Sequence, residues 1–122
     1  MKRDWDVIRD VLIEVEGLGD LERNTRSYGV VTANSPADAL KSQHAMLLLD
    51  AGYLSGTDFN MDGVRGLVGP NLTWQGHDLL DTLRSKPVWE KIKMTARDKG
   101  IELTFEAVKA LGKLALQSVL AS

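Results

Sequence analysis

Residues 41–52 read KSQHAMLLLDAG and run straight into Tyr53-Leu54, so an apolar helix stops at a glycine and turns into a strand. A glycine just past a helix takes the left-handed cap conformation without a Cβ penalty, and Tyr53-Leu54 has the aromatic and branched character of a strand start. Further on, Leu72-Thr73-Trp74-Gln75-Gly76-His77-Asp78-Leu79-Leu80-Asp81 runs the other way, from strand into helix. Here Leu72 to Trp74 read as strand, Thr73 as the helix cap, and Gly76 as a point of close packing against a neighbouring backbone. The two ends frame a hairpin.

Working outward, Ser35 is the expected N-cap of this helix and Pro36 its first residue, where a missing N–H costs nothing. Leu40, His44, Leu47, Leu48 and Ala51 make one face, Met46 and Leu49 widen it, and Asp38, Lys41, Ser42 and Gln43 are left for solvent or a ligand. Upstream, Asp4 caps a helix whose Trp5, Ile8, Val11, Leu12 and Val15 are spaced for one buried face, with Arg9, Asp10, Glu14 and Glu16 on the wet side. It ends near Gly17, where the glycines mark a turn because no dinucleotide fingerprint follows them. Residues 17–35 are polar apart from Tyr28-Gly29-Val30-Val31, which reads as a short strand.

Inside the hairpin, Asp58-Phe59-Asn60-Met61-Asp62-Gly63 matches the opening of a calcium-binding EF-hand loop, but the position that needs a bidentate Glu is Gly69 and no helix leads in. The stretch is expected to be a loop rich in Asp, Asn and Gly, without metal. His44 and His77 read as structural imidazoles. After the hairpin, Leu79, Leu80 and Leu83 lie on one helix; Pro87 opens another with Val88, Trp89, Ile92 and Ala96 inward and Gly100 as its stop. Thr104 caps the last, whose stripe of Phe105, Val108, Leu111, Ala115 and Val119 is extended sideways by Leu114, Leu116 and Leu120.

At 122 residues the chain is long enough for one domain, residues 1–83 forming core helices and hairpin and 84–122 a C-terminal helical extension. Hydrophobic residues at 43% and charged residues at 26% exclude a disordered chain. No apolar run reaches the roughly 20 residues of a membrane span, and Met1-Lys2-Arg3 leads into Asp4 instead of an apolar signal core, so the expected place is the cytoplasm. The absence of cysteine excludes disulfides, thiol catalysis and thiolate metal sites. Nucleophile elbow, P-loop and HExxH are missing as well, so neither enzyme activity nor a cofactor is expected.

MKRDWDVIRDVLIEVE, QHAMLLLDAGYL, LTWQGHDLLDTLRSKPVWEKIK and the helix around LTFEAVKALGKLAL together resemble a family of short bacterial and prophage proteins described as a domain of unknown function. That resemblance implies an α+β, winged-helix-like domain: helices around a small antiparallel three-stranded sheet, with additional C-terminal helices, in a mobile-element setting. LLLDAGYL followed by LTWQGHDLL is also similar to winged-helix regulators, though between Tyr28 and Leu54 there is room for one good helix, leaving the usual second helix short, irregular or missing.

Two functions follow as expectations. One is DNA binding or a transcription-associated role, with Lys41, Gln43 and Arg65 approaching the duplex and Arg84, Lys86, Lys91, Lys93 and Arg97 contacting phosphates. The other is a protein-interaction module, such as a phage modulator of a host or defence protein. Charge bears on the choice: residues 1–83 carry seven Lys and Arg against thirteen Asp and Glu, residues 84–122 eight against four, and a pI near 5.6 disfavours strong non-specific nucleic-acid binding. The stripe formed by Phe105, Val108, Leu111, Leu116, Val119 and Leu120 is wide enough for a homodimer through the C-terminal helices, although closure of a small core explains it equally well.

Overall fold

The computed structural model describes residues 2–29 and 35–121. The chain divides into two compact units, Met1–His77 and Asp78–Ser122, the division falling inside a helix before the boundary read from the sequence. Among the described residues there are six helices and a three-stranded antiparallel sheet, an α+β chain with a winged-helix-like order of elements.

In the first unit, helix α1 (Trp5–Glu16) starts where the Asp4 carboxylate accepts the N–H groups of Asp6 and Val7 at 3.0 and 3.3 Å. It buries Trp5, Ile8, Val11, Leu12 and Val15, as the spacing predicts. A short helix, α2 (Asp20–Thr25), follows that the sequence reading missed. It buries none of its residues, so it has no apolar period, and Asp20 and Glu22 at its start with Arg23 at its end are its sole marks. Strand β1 (Ser27–Gly29) comes next; Val30 and Val31, read as part of it, lie outside the described residues.

Helix α3 (Pro36–Asp50) is capped by the Ser35 hydroxyl, which accepts the Asp38 N–H at 3.1 Å, and it gives way to Gly52 at φ +87°. Its buried residues are Ser42, His44, Ala45 and Leu48; Leu40 and Leu47 are half-buried. Ser42, expected in solvent, is buried because its hydroxyl accepts the Gly29 N–H at 3.1 Å and so ties α3 to β1. The stretch between β1 and α3, where a winged-helix regulator carries its second helix, lies outside the described residues apart from Ser35.

Strands β2 (Leu54–Met61) and β3 (Val64–Leu72) form the hairpin, and the sheet order is β1-β3-β2. The expectation of a loop over residues 58–63 is therefore corrected: Asp58, Phe59 and Asn60 are strand, and the turn is Asp62-Gly63 alone, with φ +54° and +81°. Two positive φ values between paired strands are the type I′ turn for which Asp-Gly is a preferred pair. Register runs from Met61 opposite Val64 to Thr57 opposite Val68, with a bulge between Ser55 and Thr57. Tyr28 pairs with Leu67, and both are buried with Leu48, Leu54 and the α1 residues in the unit's core.

Helix α4 (Trp74–Arg84) begins in this unit, so Trp74 is helical and not strand. Thr73 caps it, accepting the Gly76 N–H at 3.1 Å and donating to the Gly52 carbonyl at 2.6 Å. The second unit holds the rest of α4, α5 (Lys86–Lys99) and α6 (Phe105–Ala121), and α5 packs on α6. Leu79, Leu80 and Leu83, then Val88, Trp89, Ile92 and Ala96, are buried as expected, and Gly100 ends α5. Thr104 caps α6 by accepting the Ala107 N–H at 3.0 Å.

Candidate functional site

Arg65, on β3 beside the hairpin turn, is bound by two carboxylates. Its Nε and one terminal nitrogen donate to both oxygens of Asp58 at 2.9 and 2.8 Å, and its two terminal nitrogens donate to both oxygens of Asp50 at 2.8 and 2.7 Å. Two carboxylates thus take the guanidinium fork from two directions. Asp50 is the last residue of α3, where a negative charge meets the negative end of the helix dipole, and Arg65 offsets that cost. The hydrogen bonds from Arg65 hold the Asp50 and Asp58 carboxyls below the usual carboxylate range, and those from Asp58 and then Asp50 raise Arg65.

Glu14 plays the matching part on α1. Read as a wet-side residue, it is in fact 22% exposed, and it collects the Tyr28 hydroxyl at 2.7 Å, the Lys41 ammonium at 2.9 Å and the Arg26 guanidinium at 3.3 Å. Burial alone would raise its carboxyl, but the Lys41 and Tyr28 hydrogen bonds and the Arg26 charge outweigh it and leave Glu14 lowered. Tyr28 is pushed up, first by burial and then by Glu14; Lys41 is raised by its hydrogen bond to Glu14.

The sign of the pH dependence follows. Lowered carboxyls contribute stability that is complete above their ordinary values and lost as pH falls through the folded ones. Raised Tyr28 and Lys41 contribute below about 10 and lose it only as pH rises through their folded values. The thermal midpoint is therefore expected to fall as pH drops below about 4, and Glu14→Gln should flatten that limb while lowering the midpoint at neutral pH. Equal slopes for the two chains in a melting series against pH would remove Glu14 from this account.

Of the residues expected on DNA, Lys41 and Arg65 carry these ion pairs and Gln43 is exposed. Gln43 and Arg65 share the lining of a cavity of about 570 Å³ with Gly29, Ser42, Met46 and Val64. In the second unit, Arg84 lies 3.7 Å from Asp81, and Lys93 lies 3.2 Å from Glu90 and over the Trp89 ring at 5.3 Å. Lys86, Lys91 and Arg97 are exposed. At about 100° per residue, Lys86, Lys93 and Arg97 line one edge of α5 around Glu90 while Lys91 falls on the other, so the cations do not form one stripe.

On α6, Val108 and Leu111 are buried inside the unit and closed to a partner, Phe105 and Val119 are half-buried, and Leu116 and Leu120 are exposed on one flank with Leu114 on the other. His44 is fully buried, its Nε2 accepting the Asp4 N–H at 2.9 Å and its Nδ1 lying 2.8 Å from the Leu40 carbonyl, which the neutral Nδ1–H tautomer satisfies. His77 is exposed, and both His44 nitrogens have other partners. The sequence reading missed Glu14, Asp50 and Asp58 as partners of the cations, and Trp74, which is 82% exposed. Among the described residues no helix is long and apolar enough to cross a membrane.

The model of the family described as "Hypothetical protein (DUF2513)" matches residues 2–102. A Haemophilus influenzae protein that bears the name "Uncharacterized protein" is 32% identical over 121 residues, covering 99% of this chain and 100% of its own length. No solved structure matches the chain. A match over most of the length, and a relative aligned from end to end, establish that the chain belongs to the DUF2513 family.

Proposed function

We propose that this is a non-enzymatic, cytoplasmic protein-interaction module of winged-helix-like build, whose partner is a host protein and not a DNA duplex. The observation that carries the reading is the pairing of the cations at α3 and the hairpin with carboxylates: Lys41 with Glu14, which Arg26 shares, and Arg65 with both Asp50 and Asp58. A phosphate approaching either cation meets carboxylates already bound there. Moving the cation to the phosphate would leave those carboxylates unpaired beside a second negative charge. Residues 1–77 carry seven Lys and Arg against eleven Asp and Glu, which adds a repulsive field at longer range. An exposed Trp74 is the kind of aromatic anchor on which protein interfaces concentrate their binding energy.

The test is fluorescence anisotropy with random-sequence duplex DNA at about 50 and about 200 mM salt, where phosphate contacts betray themselves by counterion release. No salt-sensitive binding is expected, and a photocrosslinker in place of Trp74 should give a discrete protein adduct in the native host. Binding that weakens steeply with salt and drops when Lys91, Lys93 and Arg97 are changed to alanine would overturn the proposal. It would favour the nucleic-acid reading, whose support is the exposure of Lys86, Lys91 and Arg97 on α5.

A further inference from the structure

β2 is an edge strand, paired with β3 on one side only. Met61 and Val64 flank a two-residue turn and so exchange backbone hydrogen bonds; Phe59 with Gly66 and Thr57 with Val68 do the same in alternation. The N–H and C=O groups of Asp58 and Asn60 consequently point away from the sheet. Residues 55–58 and 60 are exposed, so no other described residue covers this edge.

Proteins guard such edges with lysine, proline, bulges or an inward-pointing charge. Residues 57–61 contain no lysine and no proline, and the bulge lies before Thr57. The one charge on this segment, Asp58, is bound by Arg65, which donates to both its oxygens and to both of Asp50, so that one guanidinium is shared by two carboxylates. The guard is present in the sequence and partly screened in the structure: it still repels a second carboxylate set directly against it but no longer an uncharged strand.

The geometry points to a second copy of this chain as the strand that occupies the edge, β2 against β2 in antiparallel two-fold register about Phe59. The charges select that register. A two-fold axis at Asp58 would set Asp58 against its own copy, and one at Asn60 would set Asp58 against Asp62; like charges directly opposite are destabilising. An axis at Phe59 sets Asp58 opposite Asn60, a carboxylate whose oxygens keep lone pairs beyond those taken by Arg65 opposite an amide that donates. It also brings the two Phe59 rings together at a non-hydrogen-bonded pair, where side chains approach most closely. Phe59 already lies across Gly66 on its own hairpin, which leaves the ring fixed and half-exposed. This inference goes beyond the interaction reading and stands whether the other partner is protein or DNA.

Sedimentation equilibrium of the full chain tests it, with far-UV circular dichroism to confirm that each variant is folded. The native chain should show a concentration-dependent monomer–dimer equilibrium. Asn60→Pro removes an outward N–H that β3 does not use and should abolish the dimer. Asn60→Asp sets a carboxylate opposite Asp58 of the second copy and should weaken it by roughly three- to fivefold, whereas Asn60→Gln keeps the donating amide and should leave it close to native. The inference fails if the native chain stays monomeric at millimolar concentration. It fails equally if a dimer forms that ignores the Asn60→Pro and Asn60→Asp substitutions, which would move the contact to another surface such as the exposed leucines of α6.

Discussion

A Gly76→Ala chain is expected to be destabilised by roughly 3 kcal/mol, although the same change inside most helices adds about 1 kcal/mol of stability. Gly76 sits in the first turn of α4 against the carbonyl of Tyr53, and a Cβ built there would collide with that oxygen. The obstacle is backbone and cannot rotate aside. The Tyr53 carbonyl also accepts the Thr73 N–H at 3.1 Å, and Tyr53 N–H reaches back to the Leu48 carbonyl at 2.8 Å, so displacing it loosens the end of α3 and the start of α4 together. Urea unfolding followed by circular dichroism would measure the loss. A chain as stable as the native one, or more so, would mean that α4 lies further from Tyr53 than described.

Leu48→Asp should be more severe and leave no cooperative unfolding transition. Leu48 is fully buried on α3, which packs against α1 and the sheet. The change forfeits about 2–3 kcal/mol of apolar burial and adds the cost of an unpaired carboxylate, or of the protonation that removes its charge. The sum approaches the whole stability of a small protein, about 5–15 kcal/mol. Leu48→Met keeps the volume and should cost less than about 1.5 kcal/mol, separating burial from any intolerance of change at this position. A sharp melting transition for Leu48→Asp near the native temperature would show that this side of α3 faces water.

What could be read in advance follows from how local the determining contacts are. The caps at Asp4, Ser35, Thr73 and Thr104 were legible because a cap binds N–H groups two or three residues ahead. The apolar periods of α1 and α5 were legible because each helix buries one face. α3 was read less well: His44 was rightly placed on its buried face, but Ser42, left for solvent, is buried through a partner, Gly29, 13 residues away, and Ala51, placed inward, is exposed past the helix end. α2 left no apolar signal, and β2 has polar residues along an exposed edge that read as loop together with the Asp62-Gly63 turn.

For the candidate site, Lys41 and Arg65 could be found by residue type and position. Their pairing with carboxylates could not be, because Glu14 lies 27 residues from Lys41, and Asp50 lies 15 and Asp58 7 residues from Arg65. Helix spacing rules pair charges three or four residues apart and say nothing of such partners.

The strand order β1-β3-β2 also dictates an order of events during folding. The β2–β3 pairing closes across the two residues Asp62 and Gly63, whereas pairing Ser27 with Val68 must bring together chain ends separated by the whole of α3 and the hairpin. The longer closure costs on the order of 2 kcal/mol more in chain entropy, before any side chain is buried to offset it. The hairpin is therefore expected to form first, on the microsecond scale of such turns, with β1 joining an edge that already exists. Until it does, β3 is an open edge as well as β2, and the nascent sheet is vulnerable to pairing on both sides.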